Sequence, residues 1–393
     1  MKRYLILLHR YLGLGCACFL LLLGLSGSLL VFRAEIETAS GLRPAPAANV
    51  ASYQALADAV LARYPHADFN LRFAGTGEAV QVRLHLPDAE RRLWLDAASA
   101  RIVSDKADGE GLFDWLRQLH ETLLLGEAGE TLGGICALLL ILLAISGLVY
   151  WWPRDWSRAW QLRRGKGARV WLGDLHRLLG MGCSVLLLCA GLTGAYQVFN
   201  RPVNGWINGW YGYHAPDKLK LNPAPDARRL PLDELVGRAT RVLPEARLVD
   251  IKYESKPGKP LLLRWRQAGE LHPNGRSNME IDPYSGRLLR VTPVTQAAPA
   301  VRLTTWVYGL HTGSIGGWPL RVLLLLAGAG LALLSVTGVY QWLARRHKQR
   351  QVRAAMLAAP KPEPLRPTLM HHPDPRPSWA TRLKRMDNLR GID

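Results

Sequence analysis

The chain has 393 residues, 49% of them hydrophobic, and carries a formal charge of +19. The apolar residues are not spread as in a soluble fold but bunched into four runs almost free of charge, Leu12 to Phe32, Leu132 to Trp152, Leu178 to Phe199 and Leu320 to Leu343, which excludes a purely water-soluble protein. The positive charge needs no nucleic acid to explain it, since no basic motif is interleaved with base-stacking aromatics.

Each run holds about 20 residues, and at about 1.5 Å per residue it reaches about 30 Å, the thickness of a bilayer's hydrocarbon core. Four transmembrane helices are therefore predicted. The first run is longer than a signal-peptide core of roughly 7 to 15 residues and no small-x-small site closes it. Lys2, Arg3 and Arg10 precede the first span, Arg154, Arg158, Arg163, Arg164, Lys166 and Arg169 fill the loop between spans two and three, and Arg345, Arg346, Lys348, Arg350 and Arg353 follow span four. The positive-inside rule makes these segments cytoplasmic, with both termini inside and residues 33–131 and 200–319 outside, a multi-pass arrangement. Cys16, Cys18, Cys136, Cys183 and Cys189 all lie in or at the ends of the spans, so disulfides do not hold the outer segments; without a Cys-x-x-Cys-His there is no signature of covalent haem attachment.

In chain order, Arg33 to Glu37 continues the first helix until Pro44-Ala45-Pro46 breaks it. Ser52 to Arg63 reads as an amphipathic helix stopped by Pro65, and Val80 to Leu86, Arg92 to Asp96 and Arg101 to Val103 alternate as half-buried strands. The second outer segment follows the same plan: a helix from Leu232 to Val242, then strands Val249 to Tyr253, Leu261 to Gln267, Met279 to Asp282 and Leu288 to Thr292. The resulting organisation is a first span (1–33), an outer α+β module (34–111), an interfacial segment with the second span (112–152), a basic loop (153–171), the third span (172–200), a second outer module (201–300), an interfacial segment with the fourth span (301–344), and a Pro/Arg-rich tail (345–393) expected to be disordered or to lie on anionic lipid. His371-His372 in that tail, without further ligands, reads as no metal site.

The halves repeat one another. Leu8-His9-Arg10-Tyr11-Leu12-Gly13 recurs as Leu175-His176-Arg177-Leu178-Leu179-Gly180, and a Gly-Leu-Ser/Thr-Gly box follows each, Gly24 to Gly27 and Gly191 to Gly194. Leu119-His120 matches Leu310-His311, followed at equal spacing by Gly147 and Gly338. The predicted fold class is thus an α-helical membrane protein of four transmembrane helices in two parallel repeats, each with an inserted extracytoplasmic α+β module.

The repeat singles out four histidines. His9 and His176 fall at the cytoplasmic ends of two spans, His120 and His311 at the outer ends of the paired segments. Two facing neutral imidazoles between helices are what a haem iron with two axial ligands requires, and Gly13, Gly24, Gly27, Gly180, Gly191 and Gly194 would give a flat macrocycle close backbone approach. Small residues also simply let membrane helices pack. Arg10 and Arg177, next to the inner histidines, could meet haem propionates or lipid headgroups. A zinc or copper site would want more ligands in one place. His66, His85, His214, His272 and His347 have no counterpart in the other half and read as surface or structural.

These motifs, with Leu125-Gly126-Glu127-Ala128-Gly129 and Ser146-Gly147-Leu148-Val149-Tyr150-Trp151-Trp152-Pro153, resemble the PepSY-associated transmembrane family over residues 1 to about 346, in particular inner-membrane siderophore reductases of the FoxB and PiuB type; Ala97-Ala98-Ser99-Ala100 departs from the Pro and Gly usual at the PepSY turn. The resemblance implies two b haems, His9 with His176 and His120 with His311 as axial ligands, and an oxidoreductase that reduces a ferric siderophore with electrons from quinol or a cytoplasmic reductase. A non-enzymatic regulatory or sensor protein, and a haem or metal transporter, are the alternatives. Trp115, Arg117, Trp306, Tyr308 and Trp318 flank the outer histidines and could contact the chelate or the haem edge, or form an interface belt.

Overall fold

The computed structural model describes residues 2–43, 51–73, 79–87, 89–153, 160–224 and 226–358. In chain order its elements are α1 (Lys2–Leu30), α2 (Arg33–Ala39), α3 (Tyr53–Arg63), β1 (Asp68–Phe73), β2 (Val80–His85), β3 (Glu90–Leu95), β4 (Ile102–Ala107), α4 (Leu112–Thr122), α5 (Gly126–Trp151), α6 (Ala168–Val198), α7 (Asn200–Trp210), α8 (Leu232–Thr240), β5 (Arg247–Tyr253), β6 (Leu261–Arg266), β7 (Ser277–Ile281), β8 (Leu288–Thr292), α9 (Pro299–Thr304), α10 (Val307–His311) and α11 (Gly317–Ala358).

Helices α1, α5, α6 and α11 are long and apolar enough to cross a membrane, yet only 22% to 33% of each apolar window is buried within the protein. Leu25, Leu29, Ile135, Leu142, Val185, Leu192 and Leu326 remain exposed. Apolar surface on that scale is stable against lipid and not against water, so this is a membrane protein. Cys16, Leu20, Cys136, Leu140, Leu143, Leu187, Ala327 and Leu331 form the centre of the bundle. The helices approach through small residues: a Cβ on Gly24 would stand 2.7 Å from the Gly328 carbonyl oxygen, and one on Gly191 3.1 Å from that of Ala137.

The spans begin earlier than the apolar runs suggest. His9 and His176 therefore lie inside helices, and α5 starts at Gly126, immediately after a tight reversal in which Leu123 and Leu124 take positive φ (49° and 61°). A Cβ on Gly129 would fall on the Thr122 carbonyl, so only glycine lets α4 fold back this closely along α5. α11 runs on to Ala358, its residues 345–358 exposed, so the first part of the predicted tail (345–393) is helical. Pro44 to Pro46, Arg154, Arg158 and His371-His372 lie outside the described residues.

The strands of the two outer segments form one antiparallel sheet of order β4-β3-β2-β1-β5-β6-β7-β8, closed at its centre by β1 against β5 with Phe69 opposite Tyr253 and Leu71 opposite Ile251. Because side chains alternate, each strand sends one set to a common core: Phe69, Leu71, Val82, Leu84, Leu93, Ile251, Leu263, Trp265 and Met279, roofed by α3 and α8. The two helices hold each other's ends, since the Tyr53 and Gln54 amides donate to Asp233 and the Leu232 amide donates to Gln54 Oε1. Strand β1 and helix α7 are not foreseen in the sequence reading; the other strands and α3 fall within a few residues of it.

The opposite face of the sheet is polar and is tied to the membrane helices. Arg92 of β3, 6% exposed, pairs with Asp114 of α4, which also accepts from Arg33 Nη2 at 3.0 Å. Arg92 continues to Asp108 at 2.6 Å, and Asp108 accepts from Arg117 at 3.1 Å. A second tie joins α2 to α11, where Arg321 grips both oxygens of Glu35 at 2.6 and 2.7 Å and covers the Phe32 ring.

Candidate cofactor site between the helices

Each of the four histidines that the internal repeat marks is held in the same way. His9 Nδ1 lies 2.9 Å from Ser146 Oγ, His120 Nδ1 3.0 Å from Ser26 Oγ, His176 Nδ1 2.8 Å from Thr337 Oγ1, and His311 Nδ1 2.9 Å from Thr193 Oγ1. Each hydroxyl has one proton, and in every case a helix carbonyl already takes it: Leu143 at 3.2 Å from Ser146, Leu22 at 2.7 Å from Ser26, Leu333 at 2.7 Å from Thr337 and Cys189 at 2.6 Å from Thr193. The oxygen is then an acceptor, so the histidine Nδ1 must be the donor. A neutral imidazole with its proton on Nδ1 carries its free lone pair on Nε2, the form that binds a metal.

The residue after each hydroxyl is a glycine, and the ring rests on it. A Cβ added at Gly147 would stand 3.2 Å from His9 Cε1, at Gly27 2.8 Å from His120 Cε1, at Gly338 3.4 Å from His176 Cε1 and at Gly194 3.4 Å from His311 Cε1. Ser/Thr-Gly is thus a seat that aims one imidazole, and it occurs once in each of α1, α5, α6 and α11. This seat is what sequence reasoning missed; the available signal was a hydroxyl residue directly before the repeated glycine in all four spans. The glycines read as macrocycle contacts divide by role. Gly27 and Gly194 seat histidines, Gly24 and Gly191 let helix backbones touch, and Gly13 and Gly180 have Leu143 and Leu334 side chains at 3.6 and 3.8 Å.

His120 and His311 come together, with ring centres 6.2 Å apart and planes at 44°. Two imidazoles bound through Nε2 to opposite sides of one metal, with bonds of about 2 Å, place their ring centres about 6 Å apart, so the outer pair fits a two-imidazole iron. His9 and His176 lie within electrostatic range of each other at the other end of the bundle. Among the described residues no three His, Cys, Asp or Glu side chains converge. Arg177 is engaged by Asp174 at 3.0 Å and by the Gln161 carbonyl at 3.2 Å, while Arg10 lies half-buried on α1.

Of the flanking residues, Arg117 is committed to Asp108 and Glu121, and Trp318 packs on Phe32 with ring centres 5.0 Å apart. Trp115 is exposed and Trp306 half-buried. Tyr308, one turn before His311, stacks at 5.2 Å on His272, a buried ring from the β6–β7 loop. Burial, with Arg276, Arg264 and Arg266 around it, pushes the His272 pKa down from 6.5 to about 4.

A bundle of four helices long and apolar enough to span a membrane, four histidines seated on Ser/Thr-Gly pairs and an antiparallel sheet built from the two outer segments define the class: a multi-span membrane protein. Residues 6–345 match the PepSY-associated TM region family, and the chain belongs to that family. It is also 28% identical over 265 residues to "Uncharacterized protein PA4219" of Pseudomonas aeruginosa, an alignment covering 62% of this chain and 66%, just under two thirds, of that relative.

Proposed function

We propose that the protein is a di-haem b reductase of the bacterial inner membrane, with both termini cytoplasmic, which passes electrons from quinol or a cytoplasmic reductase to a ferric siderophore in the periplasm and releases ferrous iron. The observation that carries this reading is the shared state of the four imidazoles: each Nδ1 donates to a Ser or Thr hydroxyl, which leaves the ring lone pair on Nε2, and the His120 and His311 ring centres lie 6.2 Å apart. Haem b supplies reversible one-electron storage when bound. The chain's own contribution is to orient His9 and His176 at one depth and His120 and His311 at another, and to surround them with apolar helices. The matched seats in the two halves support an organisation as parallel repeats. A ferric siderophore holds its metal through hard oxygen ligands that grip ferrous iron far less tightly, so one electron to the metal suffices for release.

The test is spectroscopic first. Purified protein should show dithionite-reduced b-type bands, and His9→Ala and His176→Ala should each remove about half the haem and leave the same remaining spectrum. Protein that takes up no haem, or a variant that keeps it all, refutes the ligand assignment. Reduced protein mixed anaerobically with ferric siderophores and a ferrous-iron trap should reoxidise as trapped iron appears; haem that stays reduced with every chelate refutes the reductase. Labelling from outside should reach a Cys placed at Gly258 and spare one at Gly165, and the reverse pattern refutes the orientation.

A further inference from the structure

We propose that the polar face of the sheet is an anion-binding site that selects negatively charged metal chelates, with Arg72, Arg83 and Arg264 supplying the charge and Asp250 accepting a hydrogen bond from the ligand. The inference rests on the reductase reading only for the iron in the chelate; the charge selection is a property of the sheet.

A concave site of about 110 Å³ straddles the β1–β5 seam, and Asn70, Arg72, Arg83, His85, Asp250 and Arg264 line it. Strand register brings them together: Asn70 is opposite Arg83, and Asp250 lies between Arg72 on one side and Arg264 on the other. Three guanidinium groups therefore face one carboxylate. Among the described residues Arg83 and Arg264 form no ion pair, and Arg72 reaches Asp250 only at 4.0 Å. Like charges on neighbouring strands repel, and a concave wall raises their combined field at the mouth, so the arrangement favours an anion as its counter-charge.

Asp250 adds a second, independent feature. It is 3% exposed; its Oδ2 accepts from Asn70 Nδ2 at 2.9 Å, while its Oδ1 is buried and accepts no hydrogen bond. An unsatisfied buried acceptor is costly. A ligand carrying an N–H or O–H beside its acidic groups satisfies it, as an amide-linked or hydroxyl-bearing chelate does and a simple anion such as chloride does not. The volume suits one anionic arm and not a whole chelate.

The arginines of the site also act electrostatically on the side chains packed before His311. Arg72 lies within electrostatic range of the Tyr308 hydroxyl, and Arg264 within range of His272, the ring stacked on Tyr308. Tyr308 is one helical turn from His311.

Gallium(III) chelates separate binding from reduction, because gallium is not reduced under these conditions. Full-length protein in neutral detergent is titrated calorimetrically with a gallium tris-catecholate (charge 3−) and a gallium tris-hydroxamate of similar size (charge zero). The anionic chelate should bind roughly tenfold tighter or more at low salt, lose that advantage as salt is added, and weaken by a similar factor in Arg83→Gln and in Arg264→Gln. Arg101→Gln, an exposed arginine away from the site, controls for net charge and should change nothing. Equal binding of the two chelates, or full binding by both arginine variants, overturns the proposal. Displacement of the chelate by phosphatidylglycerol doped into the micelles would assign the site to a lipid phosphate and likewise overturn it. Charge-selective gallium binding without any ferrous iron release would leave this site standing and sink the reductase; iron release without charge selectivity would do the opposite.

Discussion

Replacing Thr193 by valine keeps the shape of the side chain and removes the oxygen that receives the His311 Nδ1 proton at 2.9 Å. The Cys189 carbonyl that Thr193 also engages is in the interior of α6, so the main loss falls on His311. A buried N–H left without a partner costs about 1–3 kcal/mol, which at about 1.4 kcal/mol per decade is roughly a 5- to 150-fold shift in favour of the tautomer with its proton on Nε2. That tautomer has no lone pair to give a metal at Nε2. Solid-state NMR of ¹⁵N-histidine-labelled, cofactor-free protein in lipid should show His311 Nε2 as an unprotonated, pyridine-type nitrogen in the native chain and a mixed or protonated one in the variant. Loss of a partner to a ligating histidine typically lowers affinity about 10- to 100-fold, so haemin titration should weaken at one of two sites. A protonated Nε2 in the native chain, or a variant identical to it in both measurements, would refute the seat as the device that prepares these histidines.

Gly27→Ala would place a Cβ 2.8 Å from His120 Cε1; overpacking of about 1–3 kcal/mol should lower the unfolding midpoint and displace the His120 ring signals, whereas Gly15→Ala, with nothing within 4 Å, should be silent, and equal effects would contradict the packing. His272 is held neutral in the fold, with its pKa pushed from 6.5 to about 4 by burial and by Arg276, Arg264 and Arg266. The unfolded chain takes up that proton first, so stability is full above pH 6.5 and declines as the pH falls towards 4, by at most roughly 3 kcal/mol; His272→Gln should flatten that part of the profile of melting midpoint against pH, and an unchanged slope would remove His272 as its source. Asp114→Asn leaves buried Arg92 with Asp108 as its remaining carboxylate at 2.6 Å. Breaking a buried pair costs about 3–5 kcal/mol and the surviving partner puts this loss at or below the lower end; denaturant unfolding that matches the native chain would show that the tie between sheet and helices carries no stability.

Much of the membrane part was legible because its causes are local. A run of apolar residues long enough to cross a bilayer announces itself, and a duplicated chain marks His9, His176, His120 and His311 by repeating them. The Ser/Thr-Gly seats were visible as letters, but nothing local says that Ser26 serves His120 and not His9 on its own helix; that choice depends on which helices adjoin. The tight reversal between α4 and α5 was hidden for a related reason. Gly129 is needed because Thr122 folds back against it, a contact that exists only after the two helices have packed.

The outer segments show the same division. Alternation in Val80–His85 and Leu261–Arg266 reveals strands with one apolar side, and turn residues end them. What the alternation leaves open is the neighbour of each edge, because hydrogen bonds between strands are made by the backbone and any two exposed edges can pair. Pairing of β1 with β5 merges the two predicted strand sets into one sheet, puts Phe69 and Ile251 into a shared core, and sets Arg72, Asp250 and Arg264 side by side on the other face. The chain alone thus determined which residues are apolar, repeated or charged, since those properties belong to single residues and short spacings; tertiary structure decided which of them meet, since contact between residues 72 and 250 requires the intervening chain to pass through the membrane helices and return.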